Sequence, residues 1–343
     1  MTGFFEVKII QAEHGDAILV SYDQNPIRHI LIDGGPASSL PNLLEVLSAS
    51  RTNGTLSLEA IVVTHYDFDH IGGIIALLEQ MPEWVNINDI WFNGHKHMLP
   101  RDLLGPQHSE ALADLIVKNR LPWNKAFQEQ AVRAGFAGNV DLPGGMSIWV
   151  LSPTEKELAE LAKQSPARLL SNDNSAPRDR LGRRDSWPPP PFYTLTGKRS
   201  LPDQSVSNAS SIALLLNYAH KQVLLSGDAH AEVLCASLAY YWPTQKTKLD
   251  LLKVSHHGSQ ANTSADFLRR IECKRFAVST NGKIHAHPDQ ALIARLIEST
   301  SNPELIFNYA TSWTNRWMNR PAAWPKYLTS YPRANDAFVR III

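Results

Sequence analysis

The chain has 343 residues, with 33 Lys+Arg against 33 Asp+Glu and 43% hydrophobic residues. That apolar content supports a sizeable core and excludes a disordered chain, while a formal net charge of zero gives no general basic excess for riding a long polyanion. Two cysteines, Cys235 and Cys273, exclude a disulfide framework and a thiolate zinc cluster.

The N-terminus, "MTGFFEVKII", lacks a basic and then apolar leader, and no apolar run reaches the roughly 18 residues of a membrane span. The expectation is a soluble cytoplasmic protein without membrane insertion. "FFEVKII", "DAILVSY" and "RHILIDGG" are apolar and β-branched and predict strands, with turns at His14-Gly15-Asp16 and Asp23-Gln24-Asn25-Pro26. "LPNLLEVLSAS" has helical spacing. "LEAIVVTH" predicts a buried strand running into "THYDFDHIGG", and "IGGIIALLEQM" a helix after it. Strand, ligand-rich loop, helix is the order in which open α/β sheets place their ligands, beyond the carboxyl ends of strands. "INDIWFNG" and "MSIWVLSP" predict two more strands. "HSEALADLIVKNR" and "TEKELAELAKQ" predict helices, the second capped by Thr154.

Composition shifts over residues 171–207, which are rich in Pro, Arg, Asp and Ser and include the run Pro188 to Pro191. An exposed insertion with little regular structure is expected there, carrying a basic cluster of Arg178, Arg180, Arg183 and Arg184. "SSIALLLNY" and "KQVLLSGDA" then predict a strand pair turning near His220-Lys221. A helix follows, then the strand "LDLLKVSHHGS", the helix "FLRRI", the strand "RFAVSTN" and the helix "PDQALIARLIEST". Two strand candidates, "ELIFNYA" and "FVRIII", lie in a C-terminal extension from about 303 to 343.

Three strand ends carry ligand-type residues: His65, Asp67, Asp69 and His70 after the first, Asp228 in "LLSGDA", and His256 with His257 in "VSHHGS". Each alone reads as a polar turn. Together, in an α/β alternation that can bring them to one edge, they offer imidazole nitrogen and carboxylate oxygen for one or two divalent metals, with Asp228 suited to bridge.

This set resembles the metallo-β-lactamase-fold hydrolases, whose mark is H-x-H-x-D-H at the end of a buried strand, a later Asp in a "GD" turn and a His after the next strand. More narrowly it is similar to the hydrolase domain of ComEC-type competence proteins and their soluble relatives, through "IDGG", Asn208 with Ser211, "LKVSHHGS" and His287-Pro288. The resemblance covers about residues 5 to 300. It implies an α/β chain, a four-layer αββα sandwich, forming a single domain over 1–343 with the 171–207 insertion. It places His65, Asp69, His70, Asp228 and His256 on metal-ligand positions, with His257 competing for the last and otherwise a catalytic candidate. Asp33 falls where the family has a buried carboxylate that accepts a ring N–H from a ligating histidine and fixes its tautomer.

Two departures stand out. Asp67 occupies the position of the family's second histidine, which hardens the donor set: zinc remains first, with manganese or iron as alternatives. The family's intermediate histidine has no counterpart before Asp228; His95 and His97 come too early, and Asn208 or a water can fill the place. Further candidates are Asp69 to position and deprotonate a water, His287 to protonate a leaving group or bind an anionic group, and Ser259 to orient His256 or touch substrate. His285 is a weaker form of the His287 idea, and His14 with Asp16 lines the rim or simply turns the chain. Trp313, Trp317 and Trp324 either stack on bases or pack on the sheet.

The resemblance implies a metal-dependent hydrolase acting on a phosphodiester: nucleic acid, nucleotide or other phosphoester. The alternatives are a carboxylic ester, lactone or thioester hydrolase with the same site, and a catalytically impaired binding or regulatory subunit that keeps the fold.

Overall fold

The computed structural model describes residues 3–94, 97, 107–136, 138–163, 185–198 and 200–343. Alternating apolar residues build β1 (Phe5–Ile10), β2 (Ile18–Tyr22), β3 (Arg28–Ile32), β4 (Leu56–Val62), the short β5 (Val85–Ile87) and β6 (Ile90–Trp91), and the C-terminal β17 (Phe338–Ile342). They form one sheet in the order β17-β1-β2-β3-β4-β5, with β6 also on β4. A second sheet contains β7 (Asn139–Leu142), β8 (Met146–Ser152), β9 (Ala213–Tyr218), β10 (Lys221–Leu225), β12 (Leu251–Lys253), β14 (Arg275–Val278), β15 (Glu304–Phe307) and β16 (Leu328–Ser330), ordered β16-β15-β14-β12-β10-β9-β8-β7. β11 (Thr247–Leu249) and β13 (Ile271–Cys273) pair separately.

The sheets pack face to face. Val7, Ile9, Val20, Ile30 and Val62 of the first meet Ile148, Leu214, Leu216, Val223 and Leu251 of the second in one buried cluster. Each such side chain contributes roughly 1.5–3 kcal/mol on burial. Outside the first sheet lie α1 (Leu40–Ala49), α2 (Phe68–Glu79) and α3 (Gln107–Lys118), docked through Leu43, Leu47, Ile71, Ile74, Leu77 and Leu112. α4 (Glu155–Ala162) starts with a capping box between Thr154 and Glu157. Outside the second sheet lie α5 (Phe192–Thr196), α7 (Ala231–Tyr241), α8 (Ala265–Arg270) and α9 (Gln290–Ser299), with the one-turn α6 (Val206–Ala209) before β9. The result is the four-layer αββα sandwich.

Two local expectations change, and both strands expected in the tail are present. "INDIWFNG" gives two short strands, because Asp89 turns its carboxylate inward to accept N–H groups from Ile90, Lys125, Ala126 and the Trp91 indole. The Pro-rich stretch is expected to be exposed and irregular, yet from Asp185 onward it packs: Phe192 and Leu195 are buried in the second sheet's outer core, and Trp187 stands edge-on to buried Trp317. Arg178, Arg180, Arg183 and Arg184 lie outside the described residues. The tail supplies β15 and β16 to one sheet and β17 to the other, and Trp317 and Trp324 are core residues.

What positions the site is strand direction. β3 and β4 run parallel in the first sheet, as do β10, β12, β14 and β15 in the second, so the carboxyl ends of both sets meet at one edge. Among the described residues, no helix is long and apolar enough to cross a membrane.

Candidate metal centre

Beyond β4 the chain stays extended through Thr64 and His65 and turns into α2 at Asp67, whose carbonyl accepts the N–H groups of His70 and Ile71. The helix therefore begins earlier than expected, and Asp69 and His70 project from its first turn rather than from a loop. Two glycines permit the close docking. A side chain at Gly73 would meet the Gly34 carbonyl at 2.0 Å, and one at Gly15 would meet the Asp69 carbonyl at 1.7 Å.

In the second sheet, Asp228 follows β10 with its N–H on Ser211 Oγ at 3.0 Å. His256 and His257 follow β12 with φ of 48° and 53°. In an extended strand, neighbouring side chains point to opposite faces. Two successive left-handed residues instead turn both rings toward Asp228. The two tips converge on one atom: Asp228 Oδ2 lies 3.4 Å from His70 Nε2, 3.5 Å from His257 Nε2, and 3.9 Å from both His65 Nε2 and His256 Nε2. Asp69 Oδ2 is 3.4 Å from His257 Nε2, and Asp67 Oδ2 is 3.5 Å from His65 Nε2.

The other face of each ring is anchored. His70 Nδ1 donates to Asp33 Oδ2 at 2.8 Å, His257 Nδ1 to the Ser279 carbonyl at 3.1 Å, and His256 Nδ1 to Asn262 Oδ1 at 2.9 Å. Thr64 Oγ1 gives its proton to Asp33 at 2.7 Å and so accepts from His65 Nδ1 at 3.0 Å. Outward Nδ1–H groups leave inward Nε2 lone pairs, as in metal-ligating histidines. His70 and His257 point theirs at each other across 3.2 Å, which only a proton or a cation between them can reconcile. Buried His65 Nε2 and Asp228 Oδ1 find no hydrogen-bond partner among the described residues. This donor set of imidazoles and carboxylates fits divalent metal.

The electrostatics agree. Burial opposes charge on His70 and His257, but the surrounding carboxylates, Asp228 foremost, outweigh it and raise both pKa values well above the ordinary range. Burial also opposes ionisation of Asp69 and Asp228, and the neighbouring imidazoles override it and hold both carboxyls well below the usual range.

A ring of polar residues stands behind these groups. Fully buried Lys253 donates to Asp16 and, at 3.2 Å, to the Gly227 carbonyl. Asp16 Oδ1 in turn lies 3.5 Å from His257 Nδ1. Asp16, His70, Asp228 and His257 all present ligand atoms within 4.8 Å of one another, yet Asp16 spends an oxygen on Lys253 and faces the outer ring nitrogen, so it backs His257. Asp203 Oδ2 accepts from Asn208 Nδ2 at 2.7 Å and Asn262 Nδ2 at 2.9 Å, behind His256. Asp67 Oδ1 accepts from Ser207 at 2.5 Å. Buried His287 sets Nδ1 3.2 Å from Asp289 Oδ1 and leaves Nε2 without a described partner.

Of the sequence-predicted residues, the structure brings His65, Asp67, Asp69, His70, Asp228, His256 and His257 together, with Asp33 directly behind. Both histidines of the doublet reach Asp228. The side chain bonded to the His256 ring is Asn262 rather than Ser259, whose hydroxyl accepts the Ala261 N–H. Asn208 sits behind His256, with its Oδ1 buried and unpartnered among the described residues. His97 packs edge-on to Trp123, next to Asn124, and His95 lies outside the described residues. Sequence reasoning missed Lys253, Asp203, Asn262 and Asp289. Only Lys253 left a signal, as a cation inside the apolar run "LDLLKV".

Residues 13–282 match the model of the metallo-beta-lactamase superfamily. The chain belongs to that superfamily. Members are metal-dependent enzymes, and the buried imidazole–carboxylate cluster of this metallo-beta-lactamase relative suits that chemistry. ComE operon protein 3 of Bacillus subtilis (strain 168) is 28% identical over 134 residues, which are 38% of this chain but only 17% of that protein. Two similar solved structures are Tm1679, a metal-dependent hydrolase of the beta-lactamase superfamily (TM-score 0.43, 10% identity, 99% of each chain), and CmlA beta-hydroxylase (TM-score 0.42, 9% identity, 100% of this chain and 54% of that one).

Proposed function

We propose that this superfamily member is a metal-dependent hydrolase of phosphodiesters, a phosphodiesterase or nuclease. The observation that carries the reading is the convergence of four imidazole Nε2 atoms on Asp228 Oδ2, with the Asp67 carboxylate beside His65 and the Asp69 carboxylate beside His257. His65, Asp67 and His256 would hold one divalent cation and Asp69, His70 and His257 a second, with Asp228 between them. Zinc suits the imidazoles, and three carboxylates admit manganese or iron. Such cations supply Lewis acidity, acidifying water and drawing off charge that builds on a phosphoryl oxygen.

The protein's own residues do the rest. Asp69, with a side chain 21% exposed at the mouth, orients the attacking water and accepts its proton. His287, with Nδ1 3.2 Å from Asp289 Oδ1 and Nε2 unpartnered among the described residues, is placed to pass a proton from Nε2 to the departing oxygen. Asp33, Thr64, Asn262 and the Ser279 carbonyl hold the rings so that little reorganisation accompanies the reaction. The ComEC-like motif set supports a phosphodiester over a carboxylic ester.

The test is turnover of bis-(p-nitrophenyl) phosphate against p-nitrophenyl acetate with added Mn²⁺ or Zn²⁺. The diester is turned over, and Asp69→Ala and Asp228→Ala each lower its kcat/KM by about a thousandfold, since metal and base effects supply several kcal/mol. Turnover of the acetate alone, or full diester activity in both variants, would refute the proposal.

A further inference from the structure

Three histidines outside the metal cluster frame its mouth. The ring of His285 lies 5.8 Å from that of His287 and 6.3 Å from that of His14, and His287 is 6.1 Å from His256. They come from two segments that the backbone ties together. Asn281 N–H donates to the Glu13 carbonyl at 2.7 Å, and Asp289 N–H to the Gly258 carbonyl at 3.0 Å. The segment bearing His285 and His287 is thus pinned to the His14 turn on one side and to the His256-His257 turn on the other. Asp69, His70 and His257 act electrostatically on His14, and His256, His257 and Asp69 on His285, so both rings lie near the centre.

Two of their nitrogens are uncommitted. His14 Nδ1 and His287 Nε2 are buried without a hydrogen-bond partner among the described residues, and His287 is only 1% exposed. Buried polar atoms are satisfied in most proteins, so such a pair at a site mouth calls for a ligand. The trio does not close to metal-ligand spacing: among the described residues, the one group that does is the Asp16, His70, Asp228 and His257 set.

We propose that His14, His285 and His287 form an oxyanion-binding subsite that takes the phosphoryl oxygens and leaving-group side of a singly charged phosphodiester. This rests on the phosphodiesterase reading and adds to it where the substrate sits. Burial lowers the pKa of both His14 and His285, the latter to about 4, so they serve as neutral hydrogen-bond donors. Neutral donors match a monoanion, whereas a multiply charged phosphate calls for Lys or Arg.

The experiment uses the full chain loaded with metal. His14→Ala and His285→Ala are compared with wild type and with His285→Asn, which keeps an N–H donor. Expected are a fall of about tenfold or more in kcat/KM for bis-(p-nitrophenyl) phosphate in each alanine variant, parallel weakening of inhibition by dimethyl phosphate, partial recovery in His285→Asn, and unchanged metal content. Unchanged kinetics and dimethyl phosphate inhibition would overturn the subsite, as would loss of a metal equivalent, which would mean the trio is a metal site. If wild type turns over no diester, the phosphodiesterase reading fails by itself, and calorimetric binding of dimethyl phosphate, a singly charged diester, to the same variants still decides whether the subsite exists.

Discussion

The two sheet tips build the centre in opposite ways. The first sheet delivers His65, Asp67, Asp69 and His70 from one continuous stretch, where a strand end passes directly into a helix and two glycines let that helix sit down on its neighbours. The second sheet delivers Asp228, His256 and His257 from separate turns, with two consecutive histidines in left-handed conformations. Non-glycine residues held there store strain, which persists only when surrounding contacts over-determine it. Those contacts are Lys253, Asp16, Asn262 and Asp203, all behind the second tip or the turn facing it. The first tip is shaped by local chain geometry and the second by a buried polar frame, so the second depends more on distant residues.

Lys253→Met tests that dependence most severely. It leaves Asp16 buried without its cation. Burial alone would raise the Asp16 carboxyl, and Lys253 is the main group holding it far below the usual range. Breaking one side of a buried pair costs about 3–5 kcal/mol, measurable as a lower denaturation midpoint. Lys253→Met with Asp16→Asn should recover most of that stability, because no lone charge remains. It should not recover tight metal binding, because the Gly227 turn and His257 lose their shared anchor. Recovery of both would mean that the frame is structural only.

How much of this was legible follows the same division. "THYDFDHIGG" announced its ligands because spacing, strand end and helix start lie within one short window. Asp228 and the doublet were recognisable as types, but which histidine would face the centre depended on backbone angles that composition does not encode. Asp203 was hidden in a stretch whose prolines and charges speak of exposure, since local propensity carries no record of a tertiary partner such as Asn262. β7 was missed because "NVDL" is a short polar edge strand with little periodicity. The helix start was misplaced because Phe68, Asp69 and His70 resemble loop residues until the Asp67 carbonyl is seen to accept the N–H groups of His70 and Ile71.

The anchors behind each tip allow a matched comparison. Asp33→Asn changes the acceptor for His70 Nδ1, and Asn262→Ala removes that for His256 Nδ1. Losing such an outer partner lowers metal affinity or activity by about 10- to 100-fold. Asp33→Asn should show the larger loss in chelator competition, because Asp33 holds Thr64, and through it His65, as well as His70. Equal losses would show that the two tips are anchored alike.

The smallest effect separates the sheet from the centre. His29 lies at the start of β3, at the other end of the strand from Asp33, with Nδ1 2.9 Å from Ser21 Oγ. Burial foremost, and then Lys8, lowers its pKa to about 4 against the opposing pull of Glu6 and Glu59. The folded state therefore binds fewer protons than the unfolded chain once pH falls below the ordinary histidine value near 6.5. Stability is full above that value and is lost as pH falls toward 4, by about 2 kcal/mol near pH 5. His29→Gln should flatten this part of the stability profile without changing metal content. A profile that stays equally steep would place the acid sensitivity elsewhere, and the dense carboxylate–imidazole centre would be the next place to look.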